Sequence, residues 1–156
     1  SAPITNNSTL SLDAPTLALN APITGNGSQL RSLNALSVIN VANSGSIQNG
    51  VDLAPDGGTV NIAVGPYNVF GVPNQVVINK NLTVQGAGTS GGITNSTVID
   101  GGGTSRVFSI SGNGIVVTLG GVIIQNGNQT FGAGVNVGSG STLNLNNSLV
   151  HFNDAT

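Results

Sequence analysis

From residue 106 onward, apolar and polar residues alternate in short runs separated by Gly, Asn and Ser. Residues 106–131 (RVFSISGNGIVVTLGGVIIQNGNQTF) hold three such runs, and residues 133–153 (AGVNVGSGSTLNLNNSLVHFN) repeat the rhythm. A period of two sends alternate side chains to opposite faces of a strand, so each run can bury one face and leave the other in water. The register follows from offsets: Leu119 maps to Leu145, Gly120-Gly121 to Asn146-Asn147 and Ile124 to Val150, each 26 residues on, and Ile110 maps to Val137 at 27. A three-strand unit recurring at such a period is expected to stack as the coils of a parallel β-solenoid, about six or seven coils for this chain. The expected fold class is therefore all-β.

An earlier copy stands at residues 76–86 (VVINKNLTVQG). There Asn81, Leu82, Thr83 and Val84 are aligned with Gly121, Val122, Ile123 and Ile124 at a spacing of 40, which makes TVID (97–100) an extra strand. The expected core rows are Ile110 over Val137, Leu119 over Leu145, and Val84, Ile124 and Val150 together. Nearer the start a finer repeat appears, TLSLDAP (9–15) then TLALNAP (16–22), with APIT at both 2–5 and 21–24. Each proline falls at a strand boundary, where it removes no ladder donor. Leu30, Leu33 and Leu36 are spaced three apart, which suits a short helical turn, yet the following SVINVANSG returns to alternation. Two segments are expected: 1–45, carrying strand repeats that form an assembly segment or extra coils, and 46–156, the parallel β-helix.

Composition narrows the function classes. Only 5% of the 156 residues are charged, and the three basic ones, Arg31, Lys80 and Arg106, are scattered, so a run of phosphates has no partner here and nucleic-acid binding is not expected. No apolar run of about 18 residues is present, so no membrane insertion is expected. With 24 Gly, many β-branched residues and few acid–base pairs, long exposed helices are disfavoured. The absence of Cys removes thiolate sites and disulfides together, in keeping with an exported bacterial or archaeal protein held by its ladder. Ser1-Ala2-Pro3 lacks a signal-peptide pattern and Asp154-Ala155-Thr156 lacks a capping element, so the chain reads as processed or as a piece, with an open final coil.

Three blocks carry a family resemblance. Ile47, Gln48, Val51, Asp52 and Ala54 form the first; Gly58, Thr59, Val60, Ile62, Gly65 and Tyr67 the second; Val77, Ile78, Lys80, Leu82, Thr83, Val84 and Gly86 the third. Together they resemble the opening of pectin-lyase-like β-helix domains of the carbohydrate-binding and sugar-hydrolysis type. STVIDGGG (96–103), VIIQNG (122–127) and TLNLNNS (142–148) look like repeats of bacterial surface proteins of that kind. The resemblance covers about residues 46–153 and implies a right-handed parallel β-helix opened by a short capping helix, in which Asn49-Gly50 weakens the helix. TLSLDAP and TLALNAP resemble instead the repeats of filamentous-haemagglutinin-type adhesins. One fold hosts many functions, so none of this selects an activity.

Candidate chemistry is sparse. Glycoside hydrolysis needs two carboxyls about 5–9.5 Å apart, but Asp13, Asp52, Asp56, Asp100 and Asp154 are the only acids, and only Asp52 and Asp56 are close in sequence. Those two are expected to serve as cap and turn residues. Asp100 and Arg106 are placed for a turn-spanning ion pair. His151, alternating with Val150 and Phe152, is expected to point outward, and a lone His makes a poor metal site. No G-x-S-x-G elbow is present. Phe108, Phe131 and Phe152 are expected in the core rather than as sugar-stacking rings. No catalytic residue, cofactor or metal is expected.

The expected function is a non-enzymatic extracellular or cell-surface β-helix, a structural or adhesive subunit of a filament or adhesin stalk that self-associates through its open ends or N-terminal strand. The residues expected to carry assembly are Thr9, Leu10, Leu12, Thr16, Leu17, Leu19, Leu143, Leu145, Val150 and Phe152. The alternative is a carbohydrate-binding or polysaccharide-cleaving domain with a surface glycan as partner; an ice-binding solenoid lacks its T-x-T array. N-x-S/T triplets begin at Asn6, Asn7, Asn26, Asn81, Asn95, Asn128 and Asn146, and glycosylation is considered at Asn7, Asn26, Asn81, Asn95 and Asn128.

Overall fold

The computed structural model describes residues 37–70, 75–90 and 95–156 in full, and before them the backbone of five short strands. Those five are Ile4–Thr5 (β1), Leu10–Leu12 (β2), Thr16–Leu19 (β3), Ile23–Thr24 (β4) and Leu30–Ser32 (β5). Next come Val38–Val41 (β6), the helix Ile47–Leu53 (α1), Gly58–Ile62 (β7), Gly65–Asn68 (β8) and Val76–Ile78 (β9). Leu82–Gln85 (β10), Thr97–Asp100 (β11) and Phe108–Ile110 (β12) form the following group. The last strands are Val116–Gly120 (β13), Val122–Gln125 (β14), Val135–Val137 (β15), Thr142–Asn146 (β16) and Leu149–His151 (β17).

Among the described residues all strand pairs are parallel, and the chain is predominantly β. The longest sheet runs β16-β13-β10-β7-β6-β3, the second β17-β14-β11-β8 and the third β15-β12-β9, with β1-β4 and β2-β5 as separate pairs. From β7 onward, neighbours within a sheet are three strands apart in sequence, so the chain visits the three sheets in rotation and climbs one level per circuit. A parallel pair requires a crossover; here the crossover is the passage through the other two sheets.

Alternation places the core as expected. Ile39, Val60, Val84 and Leu119, all fully buried, form one continuous row with Leu145 at its far edge. Ile110 pairs with Val137, and Ile124 pairs with Val150 in the second sheet, beside Ile99 and Tyr67. One register expectation is overturned. Leu82 pairs with Val117, 35 residues on, and Val84 with Leu119, so Val84 does not share a row with Ile124. TVID (97–100) is no extra strand: it is the second-sheet partner of VIIQ. The two apolar runs LTV and VII are interchangeable as patterns, and only knowledge of which sheet each occupies separates them.

The helix is present despite Asn49-Gly50. Ser46 caps it, its hydroxyl accepting from Asn49 N at 3.3 Å, and Ala54 N donates to Gly50 O. Gly50 is needed for packing: a Cβ there would lie 2.7 Å from Val41 Cγ2 and 3.0 Å from Val60 Cγ1. The helical turn considered at Leu30–Leu36 is strand β5 over Leu30–Ser32, with 33–36 outside the described residues. At the turn joining the first and second sheets, Gly121 (φ +61) is matched one level on by Asn147 (φ +48). The left-handed region is open to Gly and tolerated by Asn, which explains why Gly-Gly and Asn-Asn replace one another there.

Candidate functional site

Among the described residues, Lys80, Asp56, Asp100 and Arg106 hold levels together. Lys80 Nζ donates to the carbonyls of Val51 (2.9 Å), Asp52 (3.3 Å) and Ala54 (2.7 Å), the C-terminal end of α1, where a cation also meets the negative pole of the helix. Burial lowers the pKa of this amine, with Asp52 and Asp56 opposing. Asp52 accepts from Gln48 Nε2 at 2.7 Å, and burial raises its pKa against that bond and the Lys80 charge. Asp56 reaches the next level, where Asn81 N and Nδ2 donate to it, and Asn81 Oδ1 accepts from Val116 N one level further. Asp56 thus acts between levels rather than within its own turn.

Asp100 and Arg106 do not form the expected pair. Asp100 Oδ1 accepts from Gly102 N, and its Oδ2 from Gln125 Nε2 and Asn126 Nδ2, all at 2.7–2.8 Å. Burial pushes its pKa up, and these three donors outweigh that and hold the carboxyl below its ordinary value. Arg106 instead donates to the carbonyls of Gly132 and Phe131, one level on, where the carbonyl ends of a turn lie within its reach. Asp13 lies outside the described residues. Among the described residues, no three His, Cys, Asp or Glu side chains gather where a metal ion could be held.

A polar cleft of about 540 Å³ lies along the turns after β11 and β14, lined by Asp100, Asn126, Asn128, Phe152 and Asp154 among others. Phe152 stands at its rim, 76% exposed, with φ +53. Its place in the level below is taken by Asn126, also φ +53. Asn suits that conformation, whereas a Phe there carries roughly 1–2 kcal/mol of backbone strain. The left-handed turn takes Phe152 out of the alternation, so it is not a core residue, and Phe131 (76% exposed) sits in a turn likewise; of the three rings only Phe108 is buried. His151 packs against the Phe152 ring with centroids 4.4 Å apart, and its Nε2 is buried without a hydrogen-bond partner, so it is not the solvated outward side chain that alternation implies.

Half-exposed apolar side chains line the outer edge of β15, β16 and β17. Leu145, Leu149, Val150 and Val137 stand 42–45% exposed, whereas their partners one level in, Leu119, Ile124 and Ile110, are fully buried and Ile123 is 9% exposed. Leu143 is half-buried against the core. Of the other residues expected to assemble, Leu10 and Leu12 lie on β2, paired with β5, and Thr16 and Leu17 on β3, paired with β6. Leu19 is buried beside Val41, so it is a core residue of this chain rather than a surface contact. Thr9 lies outside the described residues.

Among the N-x-S/T positions, Asn81 is occupied by the bonds to Asp56 and Val116, Asn95 is exposed in a turn, and Asn128 is half-buried with its Oδ1 accepting from the Thr156 hydroxyl. Asn7 and Asn26 lie outside the described residues. Sequence reasoning missed the inter-level side chains Gln48, Asn81, Gln125 and Asn153. Asn153, for example, accepts from Gly127 N and donates to Ile124 O. The available signal was an amide at each turn, spaced one level from its partner. No family model, curated protein or solved structure matches this chain.

Proposed function

We propose that this chain is a right-handed parallel β-helix with a non-enzymatic, structural or adhesive role outside the cell, and that the edge of β15–β16–β17 is its contact surface. The observation that carries the reading is that edge: a level of parallel strand with unpaired backbone groups and a row of half-exposed Leu and Val, continuous with rows fully buried one level in. Such an edge is a template for another strand. The engagement of Asp56, Lys80, Asp100 and Arg106 in bonds between levels favours a building role over catalysis. Light scattering over a concentration series, with electron microscopy of the same samples, tests it: end-joined rods or filaments that grow with concentration are expected, and a monomeric mass up to the solubility limit overturns it.

A second reading, carbohydrate binding, is favoured by one observation: the cleft in which Asp100, Asp154, Asn126 and Asn128 offer polar groups beside the exposed ring of Phe152. Aromatic faces and a few convergent polar groups suit a sugar. Calorimetric titration with oligosaccharides, on the parent and on Phe152→Ala, tests it; binding lost in the variant supports it, and no heat with either protein removes it.

A further inference from the structure

We infer that the occupant of the β15–β16–β17 edge is a second copy of this chain, docked head-to-tail through its own strand β3 laid parallel on β16; the inference rests on the reading of that edge as a contact surface. Strands β3 and β16 are the two margins of the same six-stranded parallel sheet. They carry one pattern: Thr16-Leu17-Ala18-Leu19-Asn20 at one margin and Thr142-Leu143-Asn144-Leu145-Asn146 at the other. The rows between them are continuous. Leu17 begins the row that runs through Ile39, Val60, Val84 and Leu119 to Leu145, apolar at every level. On the solvent side, Ala18 begins the row Asn40, Asn61, Gln85, Gly120 and Asn146, in which Asn61 Nδ2 donates to Asn40 Oδ1 at 3.0 Å.

A copy added above β16 in the sheet's own register therefore sets Leu17 over Leu145 and Ala18 over Asn146. The apolar row acquires a seventh apolar member, and the half-exposed Leu145 receives the cover that Leu119 already has. By strand order β2 of the incoming copy follows to β15, whereas β1 falls at the level above β14 that β17 already fills, so the two-residue β1 has to yield that place to β17. A formal charge of only −2 on 156 residues puts little repulsion between copies. The contact is heterologous, so it propagates rather than closes.

The absence of Cys makes the pairing testable without background. Neighbouring strands lie about 4.8 Å apart, inside the Cα separation of about 4.4–6.8 Å that a disulfide spans, and Ala18 and Asn146 are both exposed. Ala18→Cys and Asn146→Cys are prepared separately, checked for parental melting, mixed and oxidised. Disulfide-linked heterodimers from the mixture, at least tenfold above those from either variant alone, are expected, and adding Leu145→Lys to the Asn146→Cys chain should abolish them. Thr16→Cys with Asn144→Cys, one step along the same register, provides a second pair should either first variant melt early. Homodimers of Asn146→Cys alone would mean tail-to-tail contact and overturn the inference. Cross-linking of Ala18→Cys with Asn144→Cys in preference to Asn146→Cys would mean a two-residue slip and overturn the register. Assemblies seen by light scattering without any of these links would overturn the pairing while leaving the contact surface standing, and monomers throughout would overturn both.

Discussion

The side-chain amide of Gln48 pairs with the backbone of Val77 as a neighbouring strand would: Val77 N donates to Oε1 at 2.7 Å and Nε2 donates to Val77 O at 3.2 Å. One residue of α1 thereby satisfies the margin of β9, the outermost strand of its sheet. Replacing Gln48 with Leu removes both bonds and the one to Asp52, and should lower stability by about 1–3 kcal/mol. Urea denaturation of the two proteins measures it; an unchanged midpoint would show the β9 margin to be satisfied by water alone.

Gly50 sets two rules against each other. Alanine is favoured over glycine inside a helix by about 1 kcal/mol, but a Cβ here meets Val41 and Val60 at 2.7 and 3.0 Å. Overpacking in a close-packed interior costs about 1–3 kcal/mol, so Gly50→Ala should destabilise the protein. A raised melting temperature would show that α1 can shift away from the strands at little cost.

Leu119 and Leu145 occupy one row but differ in cover, 0% against 42% exposed. Leu119→Asp buries an unpaired carboxylate and should prevent folding, the loss exceeding about 4 kcal/mol. Leu145→Asp places the same group at a wet margin and should cost less than about 1.5 kcal/mol in dilute solution. Circular dichroism and thermal melting of both variants give the comparison; equal losses would refute the row.

Tyr67 is buried, and its hydroxyl is shared between the carbonyls of Val41 and Ala63, each at 3.2 Å. Burial pushes its pKa up from 10.0 to about 12, against the Ala63 bond. A raised folded-state value means that the unfolded chain ionises first. The contribution is complete below about pH 10 and is lost as pH climbs towards 12. Stability of the parent should therefore fall over that window, and Tyr67→Phe, less stable at neutral pH by about 1 kcal/mol for the lost hydroxyl bond, should show a flatter profile there. A parallel fall in both proteins would place the alkaline transition elsewhere.

The period-two alternation was enough to read strands, core rows and the stacking of Leu119 on Leu145 from the chain alone, because one buried face leaves little freedom of register. Val84 was misplaced since the pattern LTV does not say which of three sheets it enters. Phe152 and Phe131 escaped because a left-handed or irregular turn breaks the alternation on which their burial was inferred. The roles of Gln48 and Asn81 were hidden for another reason: an amide reaching across a level is specified by three-dimensional proximity, 29 and 35 residues away in sequence. Asp100 was expected to pair with Arg106 across a turn, but its partners proved to be amides and not the nearby guanidinium.

The pairing of β6 with β7 has a mechanical consequence. Backbone bonds between parallel strands point along the direction in which levels are stacked, so a pull along that direction stretches the levels in series and the weakest yields first. The four rungs from Val38–Thr59 to Val41–Ile62 are the one strand ladder that crosses from β1–β6 to the later strands among the described residues, because α1 stands between β5 and β9 on the other side. Under tension the molecule should part there, shedding its first two levels as a unit while the three-sheet stack above stays whole.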